Sequence, residues 1–107
     1  SQTDQFELFI RDKNAIVPLD FNEVLYIEAS DNYSIFHLSE TNYTVSQTLK
    51  FVEGKLIDHG YCRIHKTFLI NIRKIDRIEH SVVFINGAPL PIGKSYRKAF
   101  MERLIIF

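Results

Sequence analysis

The fold class follows from one stretch of the chain, which reads Val82-Val83-Phe84-Ile85-Asn86-Gly87-Ala88-Pro89-Leu90-Pro91-Ile92. Its first four residues are apolar and mostly β-branched, and such residues favour extended strands. The Asn86-Gly87 pair that follows is the strongest short-range signal for a β-hairpin, because both positions of the turn require a positive φ. The stretch therefore predicts two antiparallel strands, near residues 82–86 and 89–92.

Outward from this hairpin, short apolar runs alternate with turn residues along most of the chain. They predict further strands near residues 6–10, 14–19, 24–29, 33–39, 42–45, 62–66 and 75–79. Asp31-Asn32 and the segment 40–42 are typical of the tight turns between such strands. We therefore expect a mainly β fold with antiparallel strands.

Helical periodicity is confined to two segments. In residues 47–58 an apolar stripe is formed by Leu49, Val52 and Leu56, with Ser46 as the expected cap and Gly60 as the expected end. In residues 94–107 one face collects Tyr96, Phe100, Leu104 and Phe107. The sequence thus predicts one short internal helix and a C-terminal helix within a single domain over residues 1–107.

Composition excludes several classes of protein. The chain has 107 residues, of which 46% are hydrophobic and 24% charged, as in an ordinary globular domain. The single cysteine, Cys62, excludes an internal disulfide and a multi-cysteine zinc site, and the four histidines lack metal-ligand spacing. We expect no metal and no cofactor. No apolar run is long enough for a membrane span, and residues 1–5 do not resemble a signal peptide, which favours a cytoplasmic location.

The net charge of zero conceals a strong asymmetry. Residues 1–60 contain four Lys/Arg against ten Asp/Glu, whereas residues 61–98 contain eight Lys/Arg against two Asp/Glu. Such a division favours one face that binds a polyanion and another that repels it. Two alternatives stay open: the charges mix once the chain folds, or the domain is a protein-interaction module that docks through its acidic half.

Enzyme motifs are missing from the sequence. The glycines are scattered, and there is no Gly-x-Ser-x-Gly or His-Glu-x-x-His pattern. Cys62 and His65 are the one pair that suggests a nucleophile and its base. In a strand over 62–66 they would point to opposite faces, so a core cysteine is the better interpretation. We predict no catalytic residue.

Two groups of polar residues could bind nucleic acid. The same alternation places Arg63 beside His65, with Lys66 at the end of the strand, and all three can donate to phosphate or to base edges. The alternative for Arg63 and His65 is internal pairing. The second group is Lys94, Arg97 and Lys98, which oppose the helix dipole at the start of the last predicted helix, an arrangement that either an anion or solvent would accommodate.

Three stretches carry a resemblance to a known family. They read Val24-Leu25-Tyr26-Ile27-Glu28-Ala29-Ser30-Asp31-Asn32-Tyr33, then Tyr61-Cys62-Arg63-Ile64-His65-Lys66-Thr67-Phe68-Leu69-Ile70-Asn71, and finally Leu90-Pro91-Ile92-Gly93-Lys94-Ser95-Tyr96. In this order and spacing they resemble the LytTR family of bacterial DNA-binding domains, over about residues 6–105.

The resemblance implies a fold and a function. Domains of this family have an elongated, mostly β fold without a helix-turn-helix, and their loops enter the grooves of double-stranded DNA. They are usually the output domains of two-component response regulators, behind an N-terminal receiver domain, and bind direct-repeat half-sites to regulate transcription. The resemblance therefore implies a receiver domain in the full-length protein and leaves open a homodimer on DNA.

Carried over by position, the resemblance implies three DNA-contacting segments. They are Asn32-Tyr33-Ser34, Lys66, and Lys94-Ser95. One departure is Lys94, where many relatives have arginine, whose fixed fork can bind guanine with two hydrogen bonds. Together with the residues marked by charge, the predicted DNA-binding set is Asn32, Tyr33, Ser34, Arg63, His65, Lys66, Lys94, Ser95, Arg97 and Lys98.

Overall fold

The computed structural model describes residues 7–107. The expected mainly β architecture is confirmed, because these residues form ten strands and only two short α-helices. The strands are β1 (Leu8–Asp12), β2 (Ala15–Leu19), β3 (Tyr26–Ser30), β4 (Tyr33–His37), β5 (Asn42–Val45), β6 (Tyr61–Arg63), β7 (Phe68–Asn71), β8 (Arg77–Glu79), β9 (Val82–Ile85) and β10 (Ala88–Pro91). The helices are α1 (Leu49–Leu56) and α2 (Arg97–Glu102), and single 3₁₀ turns occupy Ile57–His59, Ile72–Lys74 and Lys94–Tyr96.

The strands form three antiparallel sheets. The central one has five strands in the order β5-β4-β3-β7-β6, while β1 and β2 form a two-stranded ribbon and β10-β9-β8 a third sheet. The hairpin predicted at Asn86-Gly87 is present: Ile85 pairs with Ala88, and both turn residues have a positive φ, 50° and 83°. The turn at Asp31-Asn32 is also present, and Ser30 pairs with Tyr33 across it.

Both faces of the central sheet are covered. On one face, α1 and the ribbon bury a core that includes Ile27, Val52 and Leu69. On the other face, the third sheet and α2 bury a second core that includes Ile70, Val83 and Phe100. Adjacent residues of β7 therefore belong to different cores, since side chains alternate along a strand. The central sheet is thus fixed from both sides, and its ends are free to carry loops.

Several predicted boundaries were wrong. The expected strand over 62–66 covers only Tyr61–Arg63, and the strand over Phe68–Asn71 was not predicted at all. The internal helix begins after Thr48, whose side chain accepts a hydrogen bond from the Phe51 amide, rather than after Ser46.

The C-terminal helix is shorter than expected, because it begins with a 3₁₀ turn at Lys94 and ends at Glu102. Phe100 is buried in the second core, but Phe107 lies beyond the helix and is exposed. The first residues of the predicted strand near 6–10 include Phe6, which lies outside the described residues.

Candidate nucleic-acid interface

Three loops meet at one end of the central sheet. They are the turn Asp31-Asn32 between β3 and β4, the segment 64–67 between β6 and β7, and the segment 92–94 after β10. The amide of Ala29, near the end of β3, donates to the carbonyl of Thr67 at 2.8 Å. The amide of Gly93 donates to the carbonyl of Ile64 at 2.7 Å. These two hydrogen bonds join three segments that are far apart in sequence into one surface.

Gly93 lies at the contact between the second and third loops. A Cβ atom at Gly93 would lie 3.5 Å from the Cδ2 atom of His65 and 3.1 Å from the ring of Tyr96. The distance to His65 is an ordinary van der Waals contact, whereas the distance to Tyr96 is tight, so a side chain at Gly93 would require the Tyr96 ring to shift by a few tenths of an ångström. Gly93 thus packs against His65, and Lys94 follows it directly in the chain.

The Arg63 side chain holds the 64–67 loop through hydrogen bonds to its backbone. Its Nε atom donates to the carbonyl of His65 at 2.8 Å, and one terminal nitrogen donates to the carbonyl of Lys66 at 2.6 Å. The other terminal nitrogen forms an ion pair with Glu53 of α1 at 2.9 Å. The Arg63 side chain is only 15% exposed, so the internal-pairing alternative fits its position, and it supports the loop rather than forming its outer surface.

His65 is held by its own loop. Its Nδ1 atom accepts a hydrogen bond from the amide of Thr67 at 3.0 Å. In the neutral ring the proton is therefore on Nε2, which makes this nitrogen the donor. The His65 ring is half-buried, and its centroid lies 5.8 Å from the centroid of the Phe68 ring. The sequence pattern had placed His65 on the same strand face as Arg63. The strand ends at Arg63, so His65 lies in the loop and the two side chains do not share a strand face.

The other residues predicted to bind DNA lie in the three loops or directly after them, and all except Ser34 are exposed. Tyr33 is 49% exposed beside the exposed Asn32. The side chains of Lys66, Lys94 and Ser95 also face solvent. A planar amide, an aromatic ring, two ammonium groups and a hydroxyl therefore occur together, and these groups can contact phosphates and base edges.

Arg97 and Lys98 extend the cationic surface onto α2. Both side chains are exposed, and a terminal nitrogen of Arg97 donates to the Ser81 hydroxyl at 3.0 Å. Ser81 lies in the turn between β8 and β9, and its carbonyl accepts from the amide of Ile92. The start of α2 is thus fixed to the third sheet next to the third loop.

The prediction that Ser34 contacts DNA does not agree with its position. Ser34 is fully buried, and its hydroxyl donates to the carbonyl of Gln47 at 2.7 Å. The Ser34 side chain therefore does not form part of the exposed surface, and its contact with DNA stays a prediction. Its place is structural, because it fixes the start of β4 to the segment that leads into α1.

Two other cations of the basic half lie outside the three loops. Arg73 donates to the side chain of Asn22 at 2.8 Å and to the carbonyl of His59 at 2.9 Å. The guanidinium of Arg77 lies 4.0 Å from the centre of the Phe84 ring and pairs with Glu79. Among the described residues, the cations at the three loops and the start of α2 are Lys66, Lys94, Arg97 and Lys98.

The chemistry of Cys62 supports a core role. It is buried among the second core, and burial raises the pKa of its thiol, although the guanidinium of Arg103 acts in the opposite direction. A thiol with a raised pKa has little thiolate near neutral pH, which is the form that a nucleophile requires. Residues 7–107 contain no cluster of three or more metal-ligating side chains, and none of their helices is long and apolar enough to cross a membrane.

Two residues that hold the loops in place were missed at the sequence level. Glu53 anchors Arg63, and Gln47 receives the Ser34 hydroxyl through its carbonyl. Their partners lie 10 and 13 residues away along the chain, across different elements. No local pattern reports such pairs, because they arise only when α1 packs on the sheet.

Comparison with known proteins identifies this arrangement. Residues 14–105 match the family model described as the LytTr DNA-binding domain. A solved structure of the LytTr DNA-binding domain of a response regulator from Bacillus cereus is similar to this chain with a TM-score of 0.74 and 25% identity, over 90% of this chain and 94% of that one.

Curated relatives agree with the family assignment. The chain is 27% identical over 112 residues to the sensory transduction protein LytT of Bacillus subtilis, a match that covers 99% of the chain and 46% of that relative. It is 25% identical over 107 residues to LytT of Enterococcus faecalis, covering 86% of the chain and 44% of the relative. The chain thus spans less than half the length of these relatives.

Proposed function

Because the chain belongs to the LytTr family of DNA-binding domains, we propose that it binds double-stranded DNA sequence-specifically through its three joined loops. The observation that carries the proposal is the hydrogen-bonded contact of these loops, which assembles Asn32, Lys66 and Lys94 from distant parts of the chain. The family is one of DNA-binding domains and not of enzymes, and the pKa of Cys62 agrees with that assignment.

Within the surface, the roles divide by chemistry. Lys66, Arg97 and Lys98 are placed to neutralise phosphates, which position a protein on DNA without reading its sequence. The Asn32 amide can pair with the edge of adenine, and Lys94 can donate to guanine. Tyr33 adds an aromatic face at the edge of the surface. Arg63 and Ser34 stay beneath it and hold the loops in shape.

The chain's relatives suggest the biological setting. We infer that the domain is the output part of a two-component response regulator in the bacterial cytoplasm, with a receiver domain on its N-terminal side. In this setting two copies would bind neighbouring direct-repeat half-sites and regulate transcription. The support is the similarity to the response-regulator structure and to proteins named for sensory transduction.

Selection of bound duplexes from a random DNA pool tests the proposal. We expect a consensus, and the spacing of repeated half-sites within it would report how copies are arranged. Fluorescence anisotropy on the selected duplex, repeated over a range of salt concentrations, then counts the phosphate contacts. Four exposed cations predict a slope of log K against log salt of about −4.

Two outcomes would refute the proposal. If the pool yields no consensus and binding to random duplex is equally tight, sequence-specific recognition is wrong. If affinity does not change with salt, phosphate contacts are absent and DNA binding by this surface is wrong. A matched control is Lys50→Ala, which removes a cation from α1, far along the chain from the three loops, and should leave the slope unchanged.

A further inference from the structure

A second surface lies on the side of the central sheet that α1 covers. It is a half-open groove of about 690 Å³ between the β1–β2 ribbon, the edge strand β5 and α1. We call it the ribbon groove. Its base includes Ile10, Phe36 and Val52, which belong to the first core. Its lining does not include Lys66, Lys94, Arg97 or Lys98, so the groove is a separate surface from the proposed DNA surface.

Large apolar side chains of the ribbon groove are left in water. Phe9 is 62% exposed, Ile16 is 56% exposed and Phe51 is 49% exposed. The first two belong to the ribbon and the third to α1, and all three are among the residues that line the groove. Exposed apolar side chains that are grouped around a concave surface are characteristic of sites where another molecule binds.

The charged residues that line the ribbon groove are all cationic. Between residues 7 and 60 the chain has four Lys/Arg and nine Asp/Glu. Arg11, Lys13 and Lys55 line the groove, and Lys50 lies beside it in a shallow depression shared with Phe51 and Lys55. No Asp or Glu is among the lining residues of the groove. The cations of the acidic half are therefore concentrated where its apolar side chains are exposed.

We propose that the ribbon groove binds an amphipathic segment of a partner protein that carries apolar residues flanked by carboxylates. The apolar residues would cover Phe9, Ile16 and Phe51, and the carboxylates would pair with the surrounding cations. Helical segments commonly bind apolar grooves in this way, through residues spaced by three or four positions. Duplex DNA is a poorer match for this surface, because protein–DNA interfaces are more polar than an apolar floor of Ile, Phe and Val provides.

Peptide display on the whole 107-residue chain tests the proposal. The probe is a library of random peptides long enough for about four helical turns. We expect the enriched peptides to combine helically spaced apolar residues with Asp or Glu. A fluorescent peptide of the enriched sequence is then titrated with variants. Phe51→Ser on α1 and Ile16→Ser on the ribbon should each weaken its binding by about tenfold or more.

Matched controls separate the groove from the rest of the surface. Ile57→Ser removes an apolar side chain that is 36% exposed and does not line the groove, and it should change peptide affinity less than about twofold. The double reversal Lys13→Glu with Lys55→Glu should abolish binding of the acidic peptide and select basic peptides instead. Lys66→Glu should weaken DNA binding and leave peptide affinity unchanged. The peptide proposal and the DNA-binding proposal can therefore be refuted separately.

Several results would overturn the proposal. They are a library without enrichment, a consensus rich in Lys and Arg on the wild-type chain, and selected peptides that bind the Phe51→Ser and Ile16→Ser variants as tightly as wild type. Displacement of the peptide by random duplex DNA at moderate salt would assign the groove to nucleic acid instead. Thermal unfolding of each variant verifies that affinity is compared between folded chains.

Discussion

Replacing Arg63 by lysine should weaken DNA binding, although the Arg63 side chain is mostly buried and is not expected to contact DNA directly. Arg63 donates to the carbonyls of His65 and Lys66 and also pairs with Glu53. Lysine keeps the positive charge but has a single compact ammonium group, which cannot reach three acceptors arranged around a planar fork. In Arg63→Lys the 64–67 loop would therefore lose at least part of its support, while the net charge of the chain stays the same.

The structure sets the size of the effect. The loss of two hydrogen bonds from a charged donor would cost several kcal/mol if the carbonyls stayed dry, but this loop is near solvent and water replaces part of the loss. We expect unfolding to become easier by about 1–2 kcal/mol. Two loop residues that are no longer held must be ordered when DNA binds, at about 1 kcal/mol each or more. The dissociation constant should thus rise about 30-fold, the equivalent of about 2 kcal/mol.

Anisotropy on the selected duplex and thermal unfolding, measured in the same buffer, separate these two effects. The matched control is Glu53→Gln, which removes the ion pair and leaves both loop carbonyls with their donor. It should lower the melting temperature with little change in DNA affinity. The salt slope of Arg63→Lys should equal that of wild type, because no phosphate contact is lost.

The reasoning would be refuted by a stable Arg63→Lys variant whose affinity falls less than about twofold. It would also be refuted by Arg63→Ala that reduces the salt slope by about one, since such a change shows that the guanidinium contacts a phosphate directly. Equal losses for Arg63→Lys and Glu53→Gln would instead show that α1, and not the loop, transmits the effect.

Three further predictions concern single side chains. Lys94→Ala should cost about 1–3 kcal/mol on the consensus duplex and much less on random duplex, with Lys94→Arg retaining or improving discrimination; equal losses on both duplexes, measured by anisotropy, would make Lys94 a phosphate contact. His65→Asn keeps an acceptor for the Thr67 amide and removes the outer Nε2 donor, so it should weaken DNA binding while the melting temperature stays near wild type; a large drop in that temperature would assign His65 to the fold alone. Because burial raises the pKa of the Cys62 thiol, alkylation followed by mass spectrometry should be slow in the native chain and fast in denaturant, whereas fast native labelling would point to a reactive thiolate.

Local patterns predicted the parts of the fold that local physics determines. The Asn86-Gly87 turn adopts the positive φ angles that its residues favour. The apolar stripe of α1 is buried as its spacing required, with Leu49, Val52 and Leu56 all in the first core. Gly60 ends the helical segment in a left-handed conformation, as predicted. In each case a few neighbouring residues decide the conformation, so one sequence is enough.

Strand β7 shows where local patterns stop being informative. Phe68–Asn71 has no alternation of apolar and polar residues, because it lies between β3 and β6 and is covered on both faces. Continuous apolar runs of this length are common to buried strands and buried helix segments, so periodicity alone does not identify them. The C-terminal helix shows a second limit of local patterns. Its apolar residues keep a helical spacing up to Phe107, although the helix ends at Glu102.

The candidate site was predicted in outline but not in its division of roles. Charge and the family resemblance marked the three segments that the fold joins, and Asn32, Lys66 and Lys94 are all exposed there. Residue type does not reveal whether a polar side chain faces solvent or supports the backbone. Ser34 and Arg63 have the same donors as their neighbours, and only the carbonyls that the fold places next to them give them structural roles.

The number of basic residues in each half of the sequence does not give the number of cations at the candidate DNA surface. Of the basic half, Arg63 is mostly buried and paired with Glu53, while Arg73 and Arg77 lie outside the three loops and contact neighbouring groups, so eight cations overstate what this surface offers to DNA. In the acidic half the few cations gather at the ribbon groove. Exposed charges more than about 10 Å apart are largely screened at physiological salt, so each cluster must act on what binds next to it. A salt slope near −8 would contradict this view, because it would require the internally paired arginines to contact phosphates as well.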